Sequence, residues 1–323
     1  QRGNDHARTR RLSAEEIFVA EEKRMKEPID FTNCKRIIGK AYNGANGKKI
    51  AIEFHGIQYM VKFPPSGAQK PTELSYTNGC ASEYIACHIF NLLGVPAQET
   101  LLGTFRVGEK EKVVCACQDF TVGGKRLYDF CSIKNTILDS DTNGNGTELD
   151  EIIETIEKQA FVEPSELLKR FWDIFVLDTL LGNFDRHNGN WGFLYDEETE
   201  RGEIAPVYDC GSCLLPQADD RIMRSVLEQD EMLLARVYQF PTSAIKWGGR
   251  KINYYDFLMS TDRRDCYAAL HRIVPRINLE NINTLIEETP YISDLQKQFY
   301  KYYIKSRYEL ILIPALQKIN LPK

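Results

Sequence analysis

A two-lobed α+β fold, β-rich at the N-terminal end and mainly helical beyond, is what this 323-residue sequence predicts. Three observations carry that expectation. Residues 29–121 read chiefly as short alternating strands interrupted by one amphipathic helix. From residue 122 to 323 helical periodicity dominates. Between the lobes' cores, residues 182–213 hold an ordered set of Asp, His and Asn residues flanking a hairpin.

Lys49–Phe54 and Gln58–Phe63 flank His55-Gly56 and read as a hairpin that stops at Pro64-Pro65. Ser82–Gly94 reads as a helix ended by Gly94 and Pro96. Thr100–Phe105 and Glu111–Cys117 read as two more strands. Helices are expected over 148–160, 165–181, 254–274 and 293–319. Residues 1–28 are charged and mostly polar, and read as a tail. The stretch Asp139–Asp150 fits a calcium loop at several positions, but Asp150 stands where a bidentate Glu is needed. It reads instead as a polar loop, with Thr147 and Asp150 capping the next helix.

Composition removes several function classes. Hydrophobic residues at 43% and charged residues at 27% suit an ordinary globular protein. A net charge of -5 gives no electrostatic footprint for nucleic acid or an anionic membrane. No apolar run reaches the length of a membrane span, and no signal peptide opens the chain, so a cytoplasmic location is expected. Export into another cell is not readable here. The nine cysteines read as reduced core thiols. Cys115 and Cys117 alternate and should share one strand face, while Cys210 and Cys213 form a lone C-x-x-C without further zinc ligands.

The chemistry lies in Gly182-Asn183-Phe184-Asp185-Arg186-His187-Asn188-Gly189-Asn190 and Tyr208-Asp209-Cys210-Gly211. Asp185 and Asn190 can occupy the two ends of one tight loop, with Asn188-Gly189 as its permissive bend. Asn190–Tyr195 and Glu203–Tyr208 then read as a hairpin that returns Asp209 to the neighbourhood of Asn190. Phosphoryl transfer needs such a set: one carboxylate to orient the attacking hydroxyl, an amide oxygen and a second carboxylate to hold Mg²⁺. Asp185 is therefore the expected base, Asn190 and Asp209 the metal ligands, and His187 a loop stabiliser bonded to a nearby carbonyl or to Asp209. Any one of these residues alone would read as a surface ion pair, a turn or a cap. The ordered set with its hairpin reads as a kinase site that uses ATP and Mg²⁺.

Two further features complete the nucleotide half. The glycine-containing turn Asn43-Gly44-Ala45-Asn46-Gly47 could bring backbone N–H groups to phosphate oxygens. Lys62 sits in the apolar strand Tyr59–Phe63, where a charge needs a reason. Glu83 on the following helix is its expected counter-ion, aiming the ammonium at the α- and β-phosphates.

Lys62, Glu83, the Asp185–Asn190 loop and Tyr208-Asp209 resemble the HipA family of bacterial Ser/Thr kinases, its shorter members above all. The likeness runs from about residue 29 to the C-terminus and is most specific at Tyr76–Cys80, Gly182–Leu194 and Ala205–Cys213. It implies a protein-kinase-like fold and phosphorylation of protein Ser or Thr, with the chain itself as one candidate acceptor. The hinge that holds adenine would fall at Cys117-Gln118-Asp119-Phe120. Longer family members carry an N-terminal subdomain that contacts a DNA-binding antitoxin, and residues 1–28 are too short for it. An antitoxin partner is therefore not expected, and the net charge already argues against direct nucleic-acid or membrane partners. The family's regulatory Ser is absent from Asn43–Gly47. Two rival readings are a phosphoinositide-type lipid kinase, whose loops are similar, and an inactive interaction protein on the same scaffold. Against the first, the residues after Asp209 hold no basic cluster; against the second, the ligand set is complete.

Overall fold

The computed structural model describes residues 28–40, 48–65, 77–138 and 143–320. Residues 1–27 of the expected tail, the expected phosphate-covering Gly44, Ala45, Asn46 and Gly47, Tyr76, and the start of the polar loop at 139–142 lie outside those residues.

Strands β1 (Lys35–Arg36), β2 (Lys49–Phe54) and β3 (Ile57–Lys62) precede helix α1 (Gly79–Leu92), and β4 (Thr100–Val107) and β5 (Lys110–Gln118) follow it. They form one antiparallel sheet in the order β1-β2-β3-β5-β4. The β2–β3 hairpin turns on His55 and Gly56, both at positive φ (50° and 79°), whose twist matches that of paired strands. Ile52, Tyr59, Val61, Phe105 and Val114 build an apolar layer on one sheet face. Leu102, Cys115 and Cys117 face the other way and meet Cys80 of α1. Lys62 alternates with Val61, so its side chain points to the helix side.

Helix α1 starts at Gly79, three residues before the expected Ser82, because Asn78 already accepts the Ser82 N–H at 2.9 Å. It ends as expected at Gly94, at φ 77°, where the Val95 N–H reaches back to Phe90 O at 2.9 Å. Its inner face does not belong to the first lobe alone. Ile85, Ile89 and Phe90 join Trp172, Phe175, Leu181, Phe193 and Phe299 in the largest core of the molecule.

The second region runs β6 (Lys125–Asp129), α2 (Phe130–Ile137), α3 (Leu149–Lys158), α4 (Pro164–Leu181), β7 (Gly192–Asp196), β8 (Arg201–Ile204), α5 (Asp220–Glu228), α6 (Asp230–Tyr238), and the short pair β9 (Lys246–Trp247) and β10 (Arg250–Lys251). Helices α7 (Tyr254–Ser260), α8 (Arg264–Ile273), α9 (Leu279–Glu288), α10 (Asp294–Arg307) and α11 (Ile313–Ile319) complete it. Among the described residues no helix is long and apolar enough to cross a membrane.

Several expectations are corrected. The hairpin after the catalytic loop is shorter than expected and gains a third strand, β6, pairing Tyr128 with Phe193. Gly192 permits this, since a Cβ there would meet Tyr128 O at 2.2 Å. Pro206 ends the return strand early, and Val207 instead bridges Ala97. Its N–H bonds Pro96 O at 2.9 Å and its carbonyl takes the Gln98 N–H at 2.8 Å. This exchange fixes the chain one residue before Tyr208-Asp209. Thr147 caps nothing: its hydroxyl donates to Ala244 O, Asp150 pairs with Arg263, and α3 has no side-chain cap. The helix expected over 254–274 breaks at Thr261, whose hydroxyl accepts the Arg263 N–H and whose backbone is extended. The last helix starts with the Ser293–Gln296 capping box and passes through a wide turn over Tyr308–Leu312 ahead of Pro314, which has no N–H to give.

Gly182 ends α4 in the left-handed region (φ 63°), and a Cβ there would sit 2.1 Å from the Tyr303 hydroxyl. Gly182→Ala is expected to lower unfolding free energy by about 2 kcal/mol or more, combining backbone strain with overpacking. Urea denaturation checks this, and an unchanged midpoint would count against the packing described.

Candidate active site

The loop after Gly182 is tied by its own polar groups. Asn183 donates to Asp178 Oδ1 at 2.9 Å and accepts the Asp185 N–H at 3.0 Å. Asn190 Nδ2 donates to Asp185 O at 2.7 Å, which brings the two ends of the expected loop together and leaves the amide oxygen as an acceptor. Asn190 is 6% exposed.

Arg186 is the buried centre of this arrangement. Nε and Nη2 take the two oxygens of Asp178 at 3.0 and 3.3 Å. Nη1 donates to Asn190 O at 2.9 Å and to Tyr208 O at 2.6 Å, and Nη2 also reaches Cys210 Sγ at 3.3 Å. All five donors of the fork are thus engaged. One nitrogen carries the backbone of both expected metal-binding segments. Burial opposes the charge on Arg186, but Asp178 outweighs it and holds the guanidinium well above its ordinary range. Burial pushes the Asp178 carboxyl up while Arg186 pulls it down. Cys210 is held well below the usual thiol range by hydrogen bonds from Cys213 and Cys87 and by Arg186. Cys210 and Cys213 are buried and free, as expected. Cys115 and Cys117 share a face, their sulfurs 3.9 Å apart.

Lys62 joins three elements. Its Nζ lies 2.9 Å from Glu83 Oε2 on α1 and 3.0 Å from Asp209 Oδ1. The expected pair is present, and the second carboxylate was not foreseen. Glu83 is 1% exposed, and its other oxygen accepts the Cys210 N–H at 3.0 Å. Burial lowers the Lys62 ammonium, but Asp209 and Glu83 together overturn this and hold it well above the usual range. Lys62 is the main cause that takes Asp209 down to about 2. Burial raises Glu83 and the Lys62 charge opposes it. Asp209 is also at φ 56°, a left-handed position that a non-glycine residue occupies at some cost and that recurs at functional sites.

Asp185 lies on the same loop as Asn190, with burial raising its pKa, His187 lowering it and Asp209 raising it further. His187 sits 4.0 Å from Asp185 Oδ1 through Nε2, and its Nδ1 accepts the Gly189 N–H at 3.0 Å. It therefore pairs with Asp185 and its own loop rather than with a carbonyl or Asp209. Asn188 is a clamp and not merely a bend: its Nδ2 donates to Gly144 O at 2.9 Å and Gly146 O at 2.8 Å.

At the expected hinge, Cys117 is fully buried within β5, and the N–H groups of Gln118 and Asp119 are taken by Glu99 O and Gln58 O at 2.8 Å each. The Asp119 side chain turns back on Thr121 and pairs with Lys40. Phe120 lies against Tyr208, with ring centroids 5.8 Å apart.

Among the described residues, no cluster of three or more His, Cys, Asp or Glu side chains could hold a metal unaided. The donor set here is one ionised carboxylate, Asp209, and one amide oxygen, Asn190. That suits Mg²⁺, which keeps most of its shell for water and phosphate oxygens.

Asp178 and Asn183 were missed in the sequence. The signal for Asp178 was available: it is the sole charge in Ile174–Leu181, and a buried charge needs a partner.

Comparison with known proteins identifies the family of the chain. The HipA-like C-terminal domain matches residues 41–275. The serine/threonine-protein kinase CtkA of Helicobacter pylori is 51% identical over 272 residues, which is 84% of this chain and 82% of that protein. The crystal structure of the Helicobacter pylori proinflammatory kinase CtkA superposes with a TM-score of 0.81 at 45% identity, covering 90% of this chain and 98% of that one. HipA of Shewanella oneidensis MR-1, solved with HipB and operator DNA, shares the fold at a TM-score of 0.52 and 17% identity, covering 99% of this chain and 77% of its own. The fold and site define an enzyme of the protein-kinase class. The chain belongs to the HipA-like family.

Asp178→Ala leaves the Arg186 guanidinium buried without its carboxylate. A loss of about 3–5 kcal/mol in unfolding free energy is expected. Chemical denaturation measures it, and a loss below about 1 kcal/mol would contradict the central place given to that pair.

Proposed function

We propose that this chain transfers the γ-phosphate of ATP to Ser or Thr hydroxyls of proteins with the help of Mg²⁺. The observation that carries the reading is the simultaneous contact of Lys62 with Glu83 and Asp209, beside a loop that holds Asp185 and Asn190 together. The name and 51% identity of the relative support the choice of serine and threonine.

Each residue has a role that follows from its surroundings. Lys62 keeps its charge in a largely buried place, and Glu83 holds it in position for the α- and β-phosphates. Asp209 and Asn190 would hold Mg²⁺, which supplies charge neutralisation on the β- and γ-phosphates when bound. Asp185 orients the acceptor hydroxyl and takes its proton as the new P–O bond forms, a task suited to a carboxyl whose pKa is raised. His187 tempers that rise. Adenine would lie at the end of β5 near Phe120, whose ring rests on Tyr208. The stretch Cys210–Asp220 contains no Lys or Arg, which leaves an inositol phosphate without a grip there.

Asp185→Asn should reduce transfer to a Ser/Thr protein substrate by a factor of ~10² or more, with nucleotide binding retained. Equal turnover in the variant would remove Asp185 from its role. By calorimetry, Asp209→Ala should weaken Mg·ATP binding more than Asn190→Ala, because it removes the charged ligand. Unchanged affinity in Asp209→Ala would sink that assignment.

The pH dependence has a definite sign. Asp185 serves as a base above its pKa, which is raised from 3.8, and loses that function as pH falls through it. His187 pulls this value down, so His187→Ala should move the acid limb of kcat/KM to higher pH. A limb that stays in place or moves down would contradict the pairing.

A further inference from the structure

The loop of Asp185 has a neighbour that the proposed chemistry leaves unused. The hairpin Lys246-Trp247-Gly248-Gly249-Arg250-Lys251 is exposed along all six residues. Its strands pair Lys246 directly with Lys251 and Trp247 with Arg250. Like charges directly opposite each other weaken a strand pair, and none of these three cations has an ion-pair partner among the described residues. A two-stranded hairpin that carries such a cost gains from an external anion.

The hairpin is also fixed in place. The Lys246 N–H bonds Thr147 O at 2.8 Å, and the Gly249 N–H bonds Glu148 Oε1 at 3.1 Å. The same segment, at Gly144 and Gly146, is clamped by Asn188 of the catalytic loop. A short chain of hydrogen bonds thus joins the hairpin to the loop of Asp185. Lys251 is near enough for its charge to act on the Asp185 carboxyl. Trp247 is 50% exposed and is propped edge-on against Phe257, with centroids 5.8 Å apart at 89°. It offers a fixed apolar face between cations.

We propose that this hairpin docks the acceptor segment of the protein substrate, selecting Asp or Glu side chains close to the Ser or Thr. Lys246, Arg250 and Lys251 supply the charge, and Trp247 supplies apolar contact for the stems of those side chains. The inference rests on the protein-kinase reading above and names the substrate class for it. The acidic stretch is chosen over a lipid surface because Lys251 acts on the very carboxyl that must reach the acceptor hydroxyl.

The test uses the full chain and two short peptides with Ala in place of the acceptor, one flanked by Glu and one by Lys. Binding is read by anisotropy of a dye on the peptide and by tryptophan fluorescence, where Trp172 and Trp191 are buried and Trp247 dominates the exposed signal. The Glu-flanked peptide should bind saturably, more weakly at high salt. The triple variant Lys246→Glu, Arg250→Glu and Lys251→Glu should keep the wild-type unfolding midpoint within error, lose roughly tenfold or more of that affinity and gain the Lys-flanked peptide instead. With Ser-containing peptides, KM for the peptide should rise in the variant while KM for ATP holds. Binding of the Glu-flanked peptide without phosphorylation of any Ser peptide by the wild type would support the docking surface and contradict the kinase reading. Equal peptide binding by wild type and variant, a wild-type preference for the Lys-flanked peptide, or stronger hairpin-dependent binding to phosphoinositide vesicles would overturn the proposal.

Discussion

The ammonium of Lys62 is the contact on which the working geometry depends. It comes from a strand, and its partners come from helix α1 and from the segment after the second hairpin. A lysine this enclosed is costly unless paired. Glu83 is almost wholly buried and also accepts the Cys210 N–H, so the carboxylate that fixes Lys62 simultaneously fixes the backbone beside Asp209. The strand, the helix and the segment of Asp209 therefore share one register.

Beneath that cluster, the Asp178–Arg186 pair serves the opposite side of the site. Arg186 uses its fork to hold the carbonyls of Asn190 and Tyr208 on one nitrogen. Asp178 comes from the last turn of α4, a helix packed into the largest core, so the loop of Asp185 inherits the rigidity of a packed helix. Asn188 extends the same support outward to the 144–146 segment. Precision at Asp185 thus comes from residues that never need to touch a substrate.

Much of this was legible in the sequence where the signal is local. The β2–β3 hairpin announces itself by alternation around His55-Gly56: Lys49–Phe54 falls where the pattern puts it, and the return strand, Ile57–Lys62, lies one residue earlier than expected. Lys62 stood out as a charge in an apolar strand, and Gly94 as the stop of the first helix. The rest depends on contacts distant in sequence. Strand β6 is recognisable only once Gly192 is seen to admit the Tyr128 backbone. The short helices α2, α5, α6 and α9 carry too few turns to display a period clearly. At the hinge, no pattern within Cys117–Phe120 foretells that Gln58 and Glu99 take two of its N–H groups. Thr147 looked like a cap because Ser and Thr often are, yet a carbonyl from residue 244 claimed its hydroxyl.

A double-mutant cycle in unfolding free energy on Lys62→Met and Glu83→Gln tests the central claim most directly. If Lys62 is the cation that makes the buried Glu83 tolerable, the two losses are strongly non-additive, with a coupling of about 1–3 kcal/mol. Additive effects, within about 0.5 kcal/mol, would show that the lobes are held in register by something other than this contact.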